Sequence, residues 1–328
     1  MYFDENYKYI DKLKLLKNKR NSLNLPDYYW KYQKVKGFEV DSYYRKIKWI
    51  VEKYKLIGKD ILEIGSHFGW ESFMFAEMGV RNITGIEYKI ESLEISETLK
   101  RYLAINTAVN FKQMDVEKLN FKSNKFDFIY CNCVISHVSN YFEGYKNIFR
   151  VLKQGGVFFL TDENNFLKNR KFRRNNWIKA DFGPKEISKT VFVEEPLINI
   201  RKQKILELYP NTASGMLEKL AKKTYGYACE ELEDIIHCYM KNEIKIKKKK
   251  VARHPITGYW YEREINPFTE IRLLRKIGFS KARLTILFEK KRRNFYKNLL
   301  VHVIDKVACV FLIKNTHFNV IAKKSVLK

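Results

Sequence analysis

The chain has 328 residues, 45% of them hydrophobic, which is enough for one large domain or two small ones around an ample core. Its 63 Lys and Arg against 37 Asp and Glu give a net charge of +26; this fits an anionic partner (nucleic acid, a membrane surface, a charged substrate), and it equally fits an AT-rich codon bias, since Lys, Asn, Ile, Phe and Tyr are abundant together. Five scattered cysteines argue against a complete disulfide framework, and neither they nor the six histidines show a ligand spacing, so no metal and a reducing, cytoplasmic setting are expected.

The opening Met1 to Asn6 is polar and no apolar segment follows, so no signal peptide is expected. Residues 1–58 read as helical, with Tyr28, Tyr29, Trp30 and Tyr32, then Tyr43, Tyr44 and Trp49, set among lysines. Aromatics at helical spacing suit a core face as well as a contact surface. Asp60 to Ile64 then reads as a buried strand, Gly65-Ser66-His67-Phe68-Gly69 as a tight turn, and Trp70 to Met78 as a helix stopped at Gly79. A strand that ends in glycines and feeds a helix lets a ligand approach bare backbone N–H groups, which favour negative charge. A dinucleotide fingerprint would need a third glycine, and only Gly65 and Gly69 fall in the turn.

The second strand, Asn82 to Ile86, ends at Glu87, a carboxylate placed to accept the ribose hydroxyls of a nucleoside bound at the turn. A helix from Ser92 to Ala104 leads to a third strand, Val109 to Met114, which ends at Asp115-Val116. Phe126-Asp127-Phe128-Ile129-Tyr130-Cys131-Asn132-Cys133-Val134-Ile135-Ser136-His137-Val138 reads as a fourth strand followed by a short polar turn that carries His137. A helix ending at Gly155-Gly156 precedes a fifth strand, Val157 to Asp162, followed by Glu163. Strands alternating with helices in this way predict a parallel sheet covered on both faces.

From Asn164 to Thr269 the chain is much longer than the short connection a compact fold of this class needs. It reads as helical over Ile200 to Tyr209, Ser214 to Thr224 and Ala228 to Met240, then gives a lysine run and the turn His254-Pro255-Ile256-Thr257-Gly258-Tyr259-Trp260-Tyr261. Basic clusters fall at Lys168 to Arg174, Lys245 to Arg253 and Lys290 to Arg293. A helix over Ile271 to Ile277, a strand over Arg283 to Phe288 and a last strand over Phe318 to Lys323 follow. The apolar run Leu299 to Ile313 is too short to cross a bilayer and carries His302, Asp305 and Lys306. Asn298 to Ile313 reads either as a core helix or, beside Lys290 to Lys297, as a helix resting on an anionic membrane.

The spacing Glu63-x-Gly65-x-His67-x-Gly69, followed in order by Glu87, Asp115-Val116, the Asp127-led strand and Gly155-Gly156, resembles the class I S-adenosylmethionine-dependent methyltransferases. His67 stands where that family has its middle glycine. The resemblance spans residues 59–163, and more loosely 270–323. It implies an α/β fold: a Rossmann-like seven-stranded sheet, mostly parallel with the last strand reversed, helices on both faces, and a large helical insertion between strands 5 and 6. The expected organisation is an N-terminal helical cap (1–58), a cofactor-binding core (59–163), a helical, basic substrate-recognition insertion (164–269) and a C-terminal completion of the sheet (270–328).

The resemblance also implies S-adenosyl-L-methionine as cofactor, held by Glu63, Gly65, Ser66, His67, Phe68, Gly69, Glu87, Tyr88, Asp115, Val116, Cys131 and Asn132. Asp115 is read as the adenine contact, with a helix cap as the alternative. Methyl transfer from a sulfonium is an in-line displacement, so alignment carries much of the rate and a base is needed for a hydroxyl acceptor. Candidate bases are His137, Asp162 and Glu163, with His137 first because a neutral imidazole accepts a proton near pH 7, or else serves as a cofactor wall. His254, Tyr259 and Trp260 are the expected substrate contacts, and Glu262 is a further acidic residue of the insertion.

The acceptor expected is a hydroxyl of a glycan, a lipid-linked sugar or another small molecule, with the protein cytoplasmic and peripheral to the inner face of the membrane. An RNA methyltransferase is the less favoured alternative, supported by charge. A non-catalytic scaffold is the third, for which His67 in a glycine's place is the hint.

Overall fold

A computed structural model of the chain describes residues 8–20, 22–36, 40–105, 109–163, 169–183, 195–241, 245–260, 262–285 and 317–325. The chain divides into two units, one of 1–135, 140–163 and 267–328, the other of 136–139 and 164–266.

The first unit opens with α1 (Lys8–Leu15), α2 (Asp27–Lys36) and α3 (Val40–Tyr54). In α3 the residues Val40, Tyr44, Ile47 and Val51 recur one turn apart and are buried as one stripe. Tyr29, Trp30 and Tyr44 enter the main core with Phe68 and Phe73, so these three aromatics are core side chains.

Alternation follows: β1 (Asp60–Ile64), α4 (Trp70–Glu77), β2 (Asn82–Glu87), α5 (Ile90–Leu103), β3 (Val109–Gln113), β4 (Phe126–Asn132), α6 (Tyr141–Val151) and β5 (Leu152–Glu163). The chain passes through α7 (Asn169–Phe182), α8 (Leu197–Leu208), α9 (Ser214–Lys223) and α10 (Cys229–Met240) of the second unit and returns with α11 (Pro267–Ile277), β6 (Arg283–Leu284) and β7 (His317–Lys323).

The strands form one seven-stranded sheet in the order β3-β2-β1-β4-β5-β7-β6. β1 to β5 pair in parallel, whereas β7 runs antiparallel to both β5 and β6. This is the expected Rossmann-like sheet with its last strand reversed. Central strands are buried on both faces and therefore read as apolar runs: Phe128 to Cys131 in β4 and Phe158 to Leu160 in β5 are fully buried. β6 is described over Arg283–Leu284, and residues 286–316, including the rest of that expected strand, Lys290 to Arg293 and the apolar stretch Asn298 to Ile313, lie outside the described residues. Lys324 ties the end of β7 to the last turn of α6 by donating to the carbonyl oxygens of Phe149 (2.8 Å) and Leu152 (2.8 Å) and to Asn124 (2.9 Å).

From β1 the strands step one way to β3, and from β4 the other way. The reversal lies between β1 and β4, and open α/β sheets bind ligands at the carboxyl ends of strands at such a switch point. Gly65, Glu87, Cys133 and Glu163 all lie at that edge.

The second unit has its own core, where α8, α9 and α10 bring together Ile198, Ile205, Leu220, Ala221, Leu232 and Ile236. α7 carries no strong apolar period and was not foreseen. It is held by Asp181, whose carboxylate takes two hydrogen bonds (2.7 and 2.6 Å) from the guanidinium of Arg201 on α8, both side chains fully buried. Among the described residues no helix is long and apolar enough to cross a membrane.

Candidate active site

β1 ends in a turn pinned to the next strand: the N–H groups of Gly65 (2.8 Å) and Ser66 (2.9 Å) both donate to the carbonyl of Ile86. Gly65 has φ +72°, and a Cβ there would lie 2.2 Å from Cγ2 of Val134. Gly69, with φ +79°, directly precedes α4, and its Cβ would meet Phe111 at 2.5 Å. These two positions require glycine. His67 adopts a left-handed φ of +48° as well, a conformation that a residue with a Cβ takes uncommonly. Its ring packs against Tyr32 (centroids 4.9 Å apart) and Phe68 (3.6 Å). Burial, reinforced by Lys89, lowers its pKa to about 4, so it is neutral near pH 7.

Glu87 closes the turn from below. One carboxylate oxygen accepts from the N–H of His67 (3.0 Å), the other from Tyr88 (2.9 Å) and Lys89 (3.1 Å). Each carboxylate oxygen has about two acceptor sites, so the oxygen bound to His67 keeps capacity for a ligand hydroxyl. Tyr88 presents an exposed ring next to it. Sequence reading missed Gly85 on β2, where a Cβ would lie 2.7 Å from Cβ of Ser66. That close approach lets β2 pass under the turn, and Ser66 Oγ is buried there with no hydrogen-bond partner among the described residues. A backbone cradle that side chains would fill, an unpartnered buried hydroxyl and a carboxylate with acceptor capacity left suit a hydroxyl-bearing nucleoside.

Residues 62–160 match the family model described as a methyltransferase domain. Residues 62–160 are a methyltransferase domain. Curated proteins similar to it include phosphoethanolamine N-methyltransferase 1 of Arabidopsis thaliana, 28% identical over 135 residues (40% of this chain, 27% of that protein). Another is the ubiquinone biosynthesis O-methyltransferase of Coxiella burnetii, 28% identical over 122 residues (37% of this chain, 51% of that protein). The matches thus span between about a quarter and a half of those relatives. A solved S-adenosylmethionine-dependent methyltransferase from Methanosarcina mazei superposes with a TM-score of 0.45 at 20% identity, covering 85% of this chain and 98% of that one. At so low a score the fold assignment rests on the strand order above.

S-adenosylmethionine is the cofactor of this domain and supplies an electrophilic methyl group when bound. Gly65 to Gly69 and Glu87 would hold it, with Tyr88 beside its nucleoside end. Several other expected cofactor residues pack within the domain. Phe68 is 2% exposed and packs edge-on against Tyr29 and Tyr32, so it shapes the turn from the core side. Asp115 caps the short turn 116–118 by accepting from Glu117 N–H (2.8 Å), the cap geometry named above as the alternative, and Val116 is buried behind it. Cys131 is fully buried inside β4, where burial raises its thiol pKa.

Behind the turn, a polar cluster joins the expected cofactor residues Glu63 and Asn132 to Glu71, Tyr130 and Lys46. Glu63 is buried and accepts from Ser72 Oγ; burial and the neighbouring Glu71 raise its pKa well above the usual carboxylate range. Glu71, in the first turn of α4, accepts from Tyr130 Oη (2.6 Å) and Asn132 Nδ2 (3.0 Å), and Lys46 of α3 stands 3.5 Å away with its ammonium 5.2 Å from the Tyr130 ring centre. The only clue in the sequence is an acidic residue at the start of a helix that follows a glycine turn.

Of the candidate bases, Asp162 is fully buried, with one oxygen accepting from Glu163 N–H (2.8 Å). Glu163, the last residue of β5, lies with an oxygen 3.4 Å from His317 Nε2. His137 belongs to the second unit. Its Nδ1 is 3.3 Å from the carbonyl oxygen of Trp260, and because a carbonyl only accepts, Nδ1 is the donor of that contact.

In that unit His254, Tyr259 and Trp260 do come together in one tight turn. Arg253 pairs with Trp260 as an antiparallel bridge, His254 N–H donates to Tyr259 (2.7 Å) and Gly258 N–H to His254 (3.0 Å). His254 Nδ1 accepts from the Thr257 N–H (3.2 Å), and the Arg253 guanidinium lies 4.8 Å from the Trp260 ring centre. The backbone of residues 136–139 extends this turn, with Trp260 N–H donating to His137 (2.8 Å) and Arg263 N–H to Ser136 (2.7 Å). Glu262 is buried.

Proposed function

We propose that the protein is an S-adenosylmethionine-dependent methyltransferase whose acceptor is a hydroxyl of a glycan, a lipid-linked sugar or another small polar molecule. The observation that carries the reading is Glu87, a carboxylate fixed by three backbone N–H groups at the floor of a glycine turn and still able to accept from a ribose. The acceptor class is supported by the second unit, a separately packed insertion whose turn 253–260 gathers a guanidinium, an imidazole, a phenol and an indole. Aromatic faces flanked by donors suit a sugar or a phosphate-bearing headgroup. The two relatives act by N- and O-methylation according to their names, so an amine acceptor belongs in the same screen. His137 is the base we propose for a hydroxyl acceptor, its ring held by the contact of Nδ1 with the Trp260 carbonyl.

The test is transfer of a labelled methyl group from S-adenosylmethionine by the full chain to panels of glycans, lipid-linked sugars, phosphorylated headgroups and RNA. Label in a small-molecule panel that His137→Gln reduces supports the reading. Label in RNA alone, falling steeply with salt, replaces it with the RNA reading.

A further inference from the structure

We propose that Cys133, Glu163 and His317 form a zinc site at the carboxyl edge of the sheet. The three residues are 30 and 154 positions apart in sequence, and the fold delivers one from each of three adjacent strands. Cys133 follows β4, and its N–H donates to the Thr161 carbonyl (2.8 Å), which prolongs the β4 to β5 ladder and fixes where the thiol starts. Its φ of +56° is a left-handed conformation that a cysteine does not adopt by preference. Glu163 and His317 are opposite one another in the β5 to β7 pairing, the last residue of one strand facing the first of the other.

The ligand atoms of the three side chains all lie within 4.8 Å of one another, and Glu163 Oε1 and His317 Nε2 are already 3.4 Å apart. A tetrahedral zinc with bonds of about 2.0–2.3 Å holds its ligands about 3.3–3.8 Å apart, so side-chain rotation on a fixed backbone closes the site. A thiolate, an imidazole and a carboxylate together suit zinc; calcium and magnesium take oxygen alone. On binding, the thiol loses its proton to solvent as the sulfur to zinc bond forms. Three protein ligands leave the fourth position for water or an acceptor atom, the arrangement of reactive zinc sites as opposed to closed structural ones.

The inference does not depend on the methyltransferase reading, and its test is read without methyl transfer. The untagged full chain is stripped with chelator and titrated with Co2+ as a spectroscopic probe. The expected result is one Co2+ per chain with a thiolate charge-transfer band in the near ultraviolet, displaced by Zn2+. Cys133→Ser removes the band, and His317→Gln weakens binding more than about tenfold, since even outer-shell changes cost about 10–100-fold. Cys238→Ser, in the second unit, leaves the band intact. His317 is 42% exposed at its side chain, so its variant carries the test should Cys133→Ser fail to fold. Folded wild type that takes up no Co2+, or a band unchanged in both ligand variants, overturns the proposal. Metal uptake without S-adenosylmethionine binding would leave the zinc site standing and remove the methyltransferase reading; the reverse result would do the opposite.

Discussion

Gly65→Ala tests the cradle at its tightest point. At φ +72° an L-residue costs roughly 1–2 kcal/mol in backbone energy. The new Cβ would also lie 2.2 Å from Cγ2 and 3.2 Å from Cβ of Val134, a short, β-branched side chain with little freedom to turn away. Overpacking of that kind costs about 1–3 kcal/mol more. The sum, about 2–5 kcal/mol, is a large fraction of an ordinary domain's stability of about 5–15 kcal/mol. Urea denaturation of the full chain should show the loss in the transition of the methyltransferase unit, and S-adenosylmethionine should bind more weakly. Adding Val134→Ala should return the steric part and leave the backbone part. Gly65→Ala that matches wild type in both stability and cofactor affinity would refute the reasoning, because neither the strain nor the contact could then be real.

His67 is neutral in the folded protein at pH 7, with a pKa of about 4 against an ordinary 6.5. The unfolded chain therefore takes up this proton first, and the contribution of His67 to stability is present above about pH 6.5 and is lost as pH falls toward about 4. Its imidazole resonances should stay still between about pH 8 and pH 5; a midpoint near 6.5 would contradict the burial. In the second unit, Arg201→Met leaves the buried Asp181 carboxylate unpaired and should cost about 3–5 kcal/mol by denaturant titration. Arg201→Met with Asp181→Leu should recover most of it, and a near-neutral single variant would show that the pair is hydrated.

The core of the sheet is legible because parallel strands buried on both faces must be apolar runs: Asp60 to Ile64 and Asn82 to Glu87 are found at or within a residue of their expected ends, and a strand opens at Phe126 as expected. The glycine turn was legible for a similar reason, since only bare backbone fits there. Gly85 carried the same information and went unread, because its constraint is a contact with Ser66 in the turn after β1. The same limit hid the Lys46, Glu71, Tyr130 and Asn132 cluster, whose members come from two helices and a strand. It also hid Cys133, Glu163 and His317. Spacing along the chain suggested no metal, whereas sheet register brings these three together. α7 is held by one buried ion pair more than by a clear apolar stripe, which leaves little period to read. Asp115 takes the cap geometry that the sequence offers beside the ligand role, its side chain satisfying the backbone two residues on.

The central claim is that the glycine turn and Glu87 bind S-adenosylmethionine, and calorimetric titration of the full chain tests it most directly. Wild type should bind at a single saturable site, S-adenosylhomocysteine should compete, and Glu87→Ala should lose about 1.5–3 kcal/mol, roughly 10- to 100-fold, as charge-assisted hydrogen bonds vanish. Folded wild type that gives no binding heat across a range of temperatures, or Glu87→Ala that binds as tightly as wild type, would contradict it.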